Sequence, residues 1–293
     1  LVLNRLGILT DEVYPDDFEK SLDWIVEQGL GHIEVRVVDG VNVSNMSDEQ
    51  VAAVRAKIDA RGLSVTAIAS PLYKCALDPT RKVASGDVFG QAEESVEAHH
   101  EKLKRVIAIA KMLGAGNIRI FSFWREVEPE RHFDEIVGHL KQAAAVAEQE
   151  GVMLLQENEP SCNGGFAEEV GHIVRAVNSP AMKALWDPGN EAYGGRPAFP
   201  EGYGFIKDVL AHVHIKDAYV LPDGSSRCVP VGSGNVPFIA QLKALQEDGY
   251  KGLFTIETHY KPEGGTKEAG SRMTLDALRV LVREAFPSTE GTK

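Results

Sequence analysis

The chain has 293 residues, 43% of them hydrophobic and 25% charged, an ordinary balance for a globular protein. Its 43 acids against 31 Lys and Arg give a formal net charge of −12, which argues against nucleic acid or an anionic membrane as partner, because phosphate binding wants a basic surface. Cys75, Cys162 and Cys228 read as reduced thiols, and no apolar run reaches transmembrane length or follows a basic N-terminal segment, so a cytoplasmic protein is expected.

Residues 1–9 are mostly apolar and read as a first strand. A helix then starts at Pro15-Asp-Asp17, with Phe18, Leu22, Ile25 and Val26 on one face and Gly29 as its stop. Residues 32–38 form a second strand, with Glu34 and Arg36 on one side. Met46-Ser-Asp48 caps a helix that runs to Arg61 and ends at Gly62. The third strand, 63–69, is broken by Ser70-Pro71. Residues 71–91 are long and irregular, carry Lys74, and have the length of a functional loop. A helix over 92–113, a strand over 117–123 ending at Trp124-Arg125, and a helix over 133–150 follow. The fifth strand opens at Val152, and a helix spans 167–177 before strand six at 184–187. A Gly/Pro-rich loop and a short helical piece at 206–210 lead to strand seven, 211–216. After a loop with Asp223-Gly224 and a turn at 229–235 come a helix over 237–247, strand eight over 253–258 and a last helix over 267–284. Eight strand–helix units over 1–293, with no linker between them, predict one (β/α)8 TIM barrel.

In such a barrel the chemistry sits where the strands end. Glu157, Asp187, His214 and Glu257 fall there, on strands five to eight. Any one of them alone reads as a polar strand end met by a backbone partner. Four at one level on consecutive strands point instead to a divalent metal. Three carboxylates and one imidazole suit Mn²⁺, Mg²⁺ or Co²⁺, and admit Zn²⁺. His212 shares the face of His214 one layer deeper and is expected as a core or supporting residue. His99, His100, His132, His139 and His172 fall on helices and are expected at the surface; His259, two residues beyond Glu257 and so within reach of the mouth, is expected as a loop residue.

The set Gln156-Glu-Asn-Glu-Pro160, Trp186-Asp-Pro-Gly-Asn190, His212-Val-His-Ile-Lys-Asp-Ala218, Val229-Pro-Val-Gly-Ser-Gly234 and Thr255-Ile-Glu-Thr258 resembles the xylose-isomerase-like barrel superfamily of sugar isomerases and epimerases. Ketose 3-epimerases, hydroxypyruvate isomerase, inosose dehydratase and endonuclease IV belong to that superfamily. The resemblance implies one metal held by Glu157, Asp187, His214 and Glu257, with Glu157 and Glu257 also the acid/base pair. It places Arg227 and Glu159 at substrate oxygens. The chain departs from the ketose epimerases at Asn190, where they carry a histidine, and at Lys216-Asp217, which are taken with the substrate-binding set.

Chemically, such a site suits proton transfer next to a carbonyl through an enediolate, on a small sugar or keto-polyol. Glu34, Lys74 and Trp124 are further candidate contacts to the polyol. The bland alternatives are an interior ion pair for Glu34 with Arg36, and packing under the long loop for Trp124. A dehydratase or lyase on the same site is the nearest rival. A nuclease of the endonuclease IV type, which needs more histidines and a basic face, and a non-catalytic sugar-binding barrel are the others. A homo-oligomer is left open.

Overall fold

Short apolar segments alternate with amphipathic helices throughout the computed structural model, which describes residues 2–287. Among these residues, eight parallel strands close into a barrel in chain order. They are β1 (Leu6–Leu9), β2 (His32–Val35), β3 (Ser64–Ala69), β4 (Asn117–Ile120), β5 (Met153–Glu157), β6 (Met182–Trp186), β7 (Leu210–Ile215) and β8 (Phe254–Ile256). β8 closes on β1 with Leu6 opposite Phe254 and Ile8 opposite Ile256. Parallel neighbours require crossovers, and helices supply them on the outer face. This is the (β/α)8 architecture that the alternation of elements predicts.

The helices start and stop where local chemistry dictates. Ser47 caps Asp48–Asp59 through a reciprocal pair with Gln50, which satisfies two of the free N–H groups at that end. Gly114 and Gly151 take the left-handed conformation that ends Val96–Leu113 and Phe133–Glu150. In the first helix, Phe18–Glu27, the buried stripe is Phe18, Ser21, Leu22, Trp24 and Ile25. Val26 lies off that stripe and is 46% exposed, unlike its expected place on the buried face. No helix among the described residues is long and apolar enough to cross a membrane.

Several segments differ from the sequence-based expectation: the helix expected over 92–113 begins at Val96 after its Ser95 cap, and the strand expected over 117–123 ends at Ile120. Residues Val2–Arg5 form a 3-10 turn, so β1 is shorter than residues 1–9. The run 32–38 is cut at Arg36, which turns into the barrel mouth; Val37–Val38 then pairs with Val41–Asn42 across Asp39-Gly40. Both of those residues have positive φ, which a tight hairpin turn requires. After β7, Asp217–Val220 pairs with Ser226–Val229 as a second hairpin over the mouth. Residues 71–91 are irregular, as expected, and are tied down by Lys74 Nζ to the Asp87 carbonyl (2.8 Å) and by contacts to the neighbouring loop.

Candidate active site

The ionisable side chains of the site stand at or near the C-terminal ends of the barrel strands. Glu157 is the last residue of β5, and Asp187 and Glu257 directly follow β6 and β8. Asp187 also caps the short helix Pro188–Tyr193: its Oδ1 accepts from the Asn190 N–H at 2.9 Å, which turns Oδ2 toward the mouth. His214, on β7, faces these acids with Nδ1, which lies 3.1 Å from Glu257 Oε2, 3.3 Å from Glu157 Oε1 and 3.9 Å from Asp187 Oδ2. The four residues are buried and each offers a donor atom, all lying within 4.8 Å of one another.

This arrangement favours positive charge at Nδ1 of His214. The other ring nitrogen of His214, Nε2, lies 3.1 Å from Glu34 Oε2. An ionised carboxylate only accepts, so a neutral imidazole can satisfy Glu34 or the three acids, but not both. Burial alone would lower the His214 pKa, yet Glu34 and Glu157 hold it well above the ordinary value. A divalent ion on Nδ1 would answer the same demand as the proton. The donor chemistry fits one: three carboxylates, one imidazole and a buried Asp187 Oδ2 that has no hydrogen-bond partner.

Cationic side chains complete the balance. Lys216 Nζ lies 3.0 Å from Asp187 Oδ2 and 2.9 Å from Glu257 Oε2. Arg119 Nη1 lies 3.0 Å from Glu157 Oε2 and 3.8 Å from Glu257 Oε1. Arg36 pairs with Asp11 and Glu12 at 2.9 Å each and with Glu257 at 2.6 Å. Burial and Glu257 push the Glu157 carboxyl up, but Arg119 and His214 outweigh them and keep it below the usual carboxylate range. Asp187 goes the other way: burial and the two glutamates outweigh Lys216 and push it up to about 6.

Above the cluster opens a cavity of about 1030 Å³. Lys74, Glu159, Asn190, Lys216 and Arg227, five of the candidate substrate contacts, line it together with Glu157 and Glu257. Lys74 is set by Glu159 at 3.3 Å and by the faces of Phe89 and Phe121. Asn190 donates to the Asn158 carbonyl at 2.8 Å and accepts from Lys216 at 3.1 Å.

Three other expected substrate contacts do not line this cavity. Glu34 is buried inside the barrel against His212 and His214, and it does not pair with Arg36. Trp124 packs beneath the 71–91 loop and gives its Nε1–H to Glu93 at 2.9 Å. Asp217 accepts from the backbone N–H groups of Ala218, Gly232, Gly234 and Val236, so it braces the mouth hairpin and the 229–235 turn. Among the histidines, His212 is the expected deeper residue. His99, expected at the surface, is buried and accepts the Tyr73 N–H at 2.9 Å. His259 lies in a loop, as expected, and from there lines the cavity 3.2 Å from Glu257.

Arg36 and Arg119 at the cluster were not singled out as functional from sequence. Arg119 carried a usable signal: it is a charged residue inside Asn117–Ile120, and the period of two puts it on the same side of the strand as Asn117. Tyr73, Phe89, Phe123 and His259 hold positive φ around the mouth, a costly conformation for residues with side chains, and such strain concentrates at functional sites. Burial raises the thiol pKa values of Cys162 and Cys228, the latter to about 11, so neither is poised as a nucleophile.

A model of the xylose isomerase-like TIM barrel family matches residues 22–280. The uncharacterized protein MJ1311 of Methanocaldococcus jannaschii is 31% identical over 122 residues, 40% of this chain and 41% of that protein, so this match spans less than half of either. The inosose dehydratase of Geobacillus thermodenitrificans is 21% identical over 281 residues, covering 88% of this chain and 90% of that protein. Among solved structures, the IolI protein with a binding zinc atom superposes with a TM-score of 0.75 at 18% identity, covering 97% of this chain and 100% of that one. D-psicose 3-epimerase from Clostridium cellulolyticum H10, solved with D-tagatose, gives 0.68 at 16% identity and covers 95% and 98%. At such identities the structural likeness speaks to the fold.

Proposed function

The chain belongs to the xylose isomerase-like TIM barrel family, and from that premise we propose that it is a divalent-metal-dependent isomerase or epimerase that moves a proton next to the carbonyl of a sugar or keto-polyol. The observation that carries the reading is the convergence of Glu157, Asp187, His214 and Glu257, with donor atoms within 4.8 Å at the barrel mouth. These four would hold one ion, Mn²⁺, Mg²⁺ or Co²⁺, with Zn²⁺ also suited to the set. When bound, such an ion polarises a carbonyl and favours the enediolate.

The chain's own groups supply the proton movements. Glu157 and Glu257 are kept ionised by Arg119 and their other cationic neighbours, the form in which a carboxylate accepts a proton. They come from β5 and β8, which are separated on the rim by β6 and β7, so they approach a bound substrate from different sides. A proton taken by one and returned by the other inverts the carbon. Returned to the adjacent carbon, it exchanges aldose and ketose. Lys216 can donate to a substrate oxygen beside Glu257, while Lys74, Glu159 and Arg227 on the cavity wall hold the remaining hydroxyls.

A second reading, a dehydratase on the same site, is favoured by the alignment with inosose dehydratase over 88% of this chain. Enolisation would be shared, and a β-hydroxyl would then leave with a proton from Lys216. Product analysis separates the two. With Mg²⁺ supplied and a panel of ketoses, aldoses and inososes, an epimer or isomer is expected. A deoxy-keto product makes the protein a lyase, and no product from any member overturns both readings.

A further inference from the structure

We infer that Glu34 is a positioning residue for His214: it fixes the imidazole with its proton on Nε2, so that the Nδ1 lone pair is presented to the metal locus. The inference rests on the metal reading above. Glu34 stands on β2 and His214 on β7, which are separated on the barrel by β1 and β8, so their contact crosses the interior. Both side chains are fully buried. His214 Nε2 lies 3.2 Å from Oε1 and 3.1 Å from Oε2 of Glu34, and His212 Nε2 lies 2.6 Å from Oε1.

No Lys or Arg among the described residues pairs with Glu34; its ion-pair partners are these two imidazoles. A buried carboxylate left without donors is costly, and a carboxylate can only accept. Both histidines must therefore direct N–H groups at it. The opposite tautomer of His214 would set its Nε2 lone pair against Glu34 and spend its only proton on the side where the three other acids gather. Thr255 Oγ1, 3.1 Å from His212 Nε2, helps to hold the deeper ring. His214 is thus clamped in position and in protonation site by a residue that does not line the substrate cavity. Carboxylate partners of this kind orient metal-binding histidines and typically carry about 10- to 100-fold in metal affinity.

The test combines calorimetric Mn²⁺ titration with long-range ¹H–¹⁵N NMR of the Mg²⁺-loaded, histidine-labelled protein. In the wild type, the His214 ring proton is expected on Nε2. Glu34→Gln is expected to weaken Mn²⁺ binding by about 10- to 100-fold. Glu34→Asp, which keeps the carboxylate, should recover part of that loss, and KM should change little because Glu34 does not meet substrate. A His214 proton on Nδ1 in the loaded wild type overturns the inference without any variant having to fold. So does Mn²⁺ affinity in Glu34→Gln within about twofold of a tightly binding wild type, while leaving the metal reading intact. A wild type that binds neither Mn²⁺ nor Mg²⁺ overturns the metal reading and this inference together.

Discussion

The ammonium of Lys216 stands 3.0 Å from Asp187 Oδ2, within ion-pair distance yet off the line of a hydrogen bond, so that this oxygen keeps no directed partner. The distance and the missing hydrogen bond are compatible: the contact is electrostatic attraction without alignment. Burial would lower the Lys216 pKa, but Asp187 and Glu257 hold it well above the ordinary value. Lys216 therefore already supplies positive charge to the carboxylates that a metal would share. Lys216→Met is expected to bind Mn²⁺ about tenfold more tightly, roughly 1.4 kcal/mol, because a like charge is removed. Turnover should fall by about 100-fold or more with the loss of the donor. Calorimetric titration and steady-state kinetics check both. Weaker Mn²⁺ binding would show that Lys216 holds the ligands in place instead of competing.

Arg119 is the second interior cation that the site depends on. Its buried guanidinium reaches Glu157 at 3.0 Å and the Ala69 carbonyl at 3.1 Å. Arg119→Met would leave two neighbouring buried carboxylates facing each other, a loss on the order of 3–5 kcal/mol by analogy with broken buried pairs. Without it the Glu157 pKa should rise, moving the acid limb of the pH–rate profile upward. Urea unfolding and a pH profile of kcat measure the two effects, and Arg119→Lys should restore part of each.

How much of this was legible in the sequence depends on the kind of signal. The barrel was, because the alternation of strands and helices is local: Phe133–Glu150 and Ala167–Val177 fall where the sequence reading puts them. The convergence of Glu157, Asp187, His214 and Glu257 was legible because each sits at a strand end, and strand ends meet in a barrel. Glu34 and Asp217 were misplaced for a shared reason. A charged residue at a strand terminus can point up into the mouth, down into the interior or sideways to a loop, and only tertiary contacts decide. Arg36 shows the same limit, since its three partners, Asp11, Glu12 and Glu257, come from two other strand ends.

His99 makes stability depend on pH. Burial lowers its pKa to about 4, and its Nδ1 accepts the Tyr73 N–H next to Lys74. The unfolded chain takes up a proton near pH 6.5 and the folded one only near 4, so stability is full above the unfolded value and is lost as pH falls. Between pH 7.5 and pH 5 this single group should cost about 2 kcal/mol. Urea unfolding at both values, with His99→Gln as reference, should show that much less pH dependence in the variant.

Gly189 gives the helix that follows Asp187 its close seat against β7. A Cβ there would lie 2.5 Å from the Lys216 Cβ and 2.6 Å from its backbone carbonyl carbon, nearer than real contacts allow. Gly189→Ala should displace Asn190 and Lys216 together, lowering turnover by about tenfold or more at a stability cost of roughly 1–3 kcal/mol. Kinetics beside thermal unfolding check it.

The central claim is proton transfer at a carbon next to a carbonyl, with Glu157 and Glu257 as the acid/base pair. The most direct measurement is proton NMR in D₂O with the Mg²⁺-loaded enzyme and a panel of ketoses, aldoses and inososes. The account predicts that one substrate loses a C–H signal beside its carbonyl, and that Glu257→Gln, with metal still bound, abolishes the loss. A product formed with that C–H signal intact, or exchange that continues undiminished in both Glu257→Gln and Glu157→Gln, would contradict it.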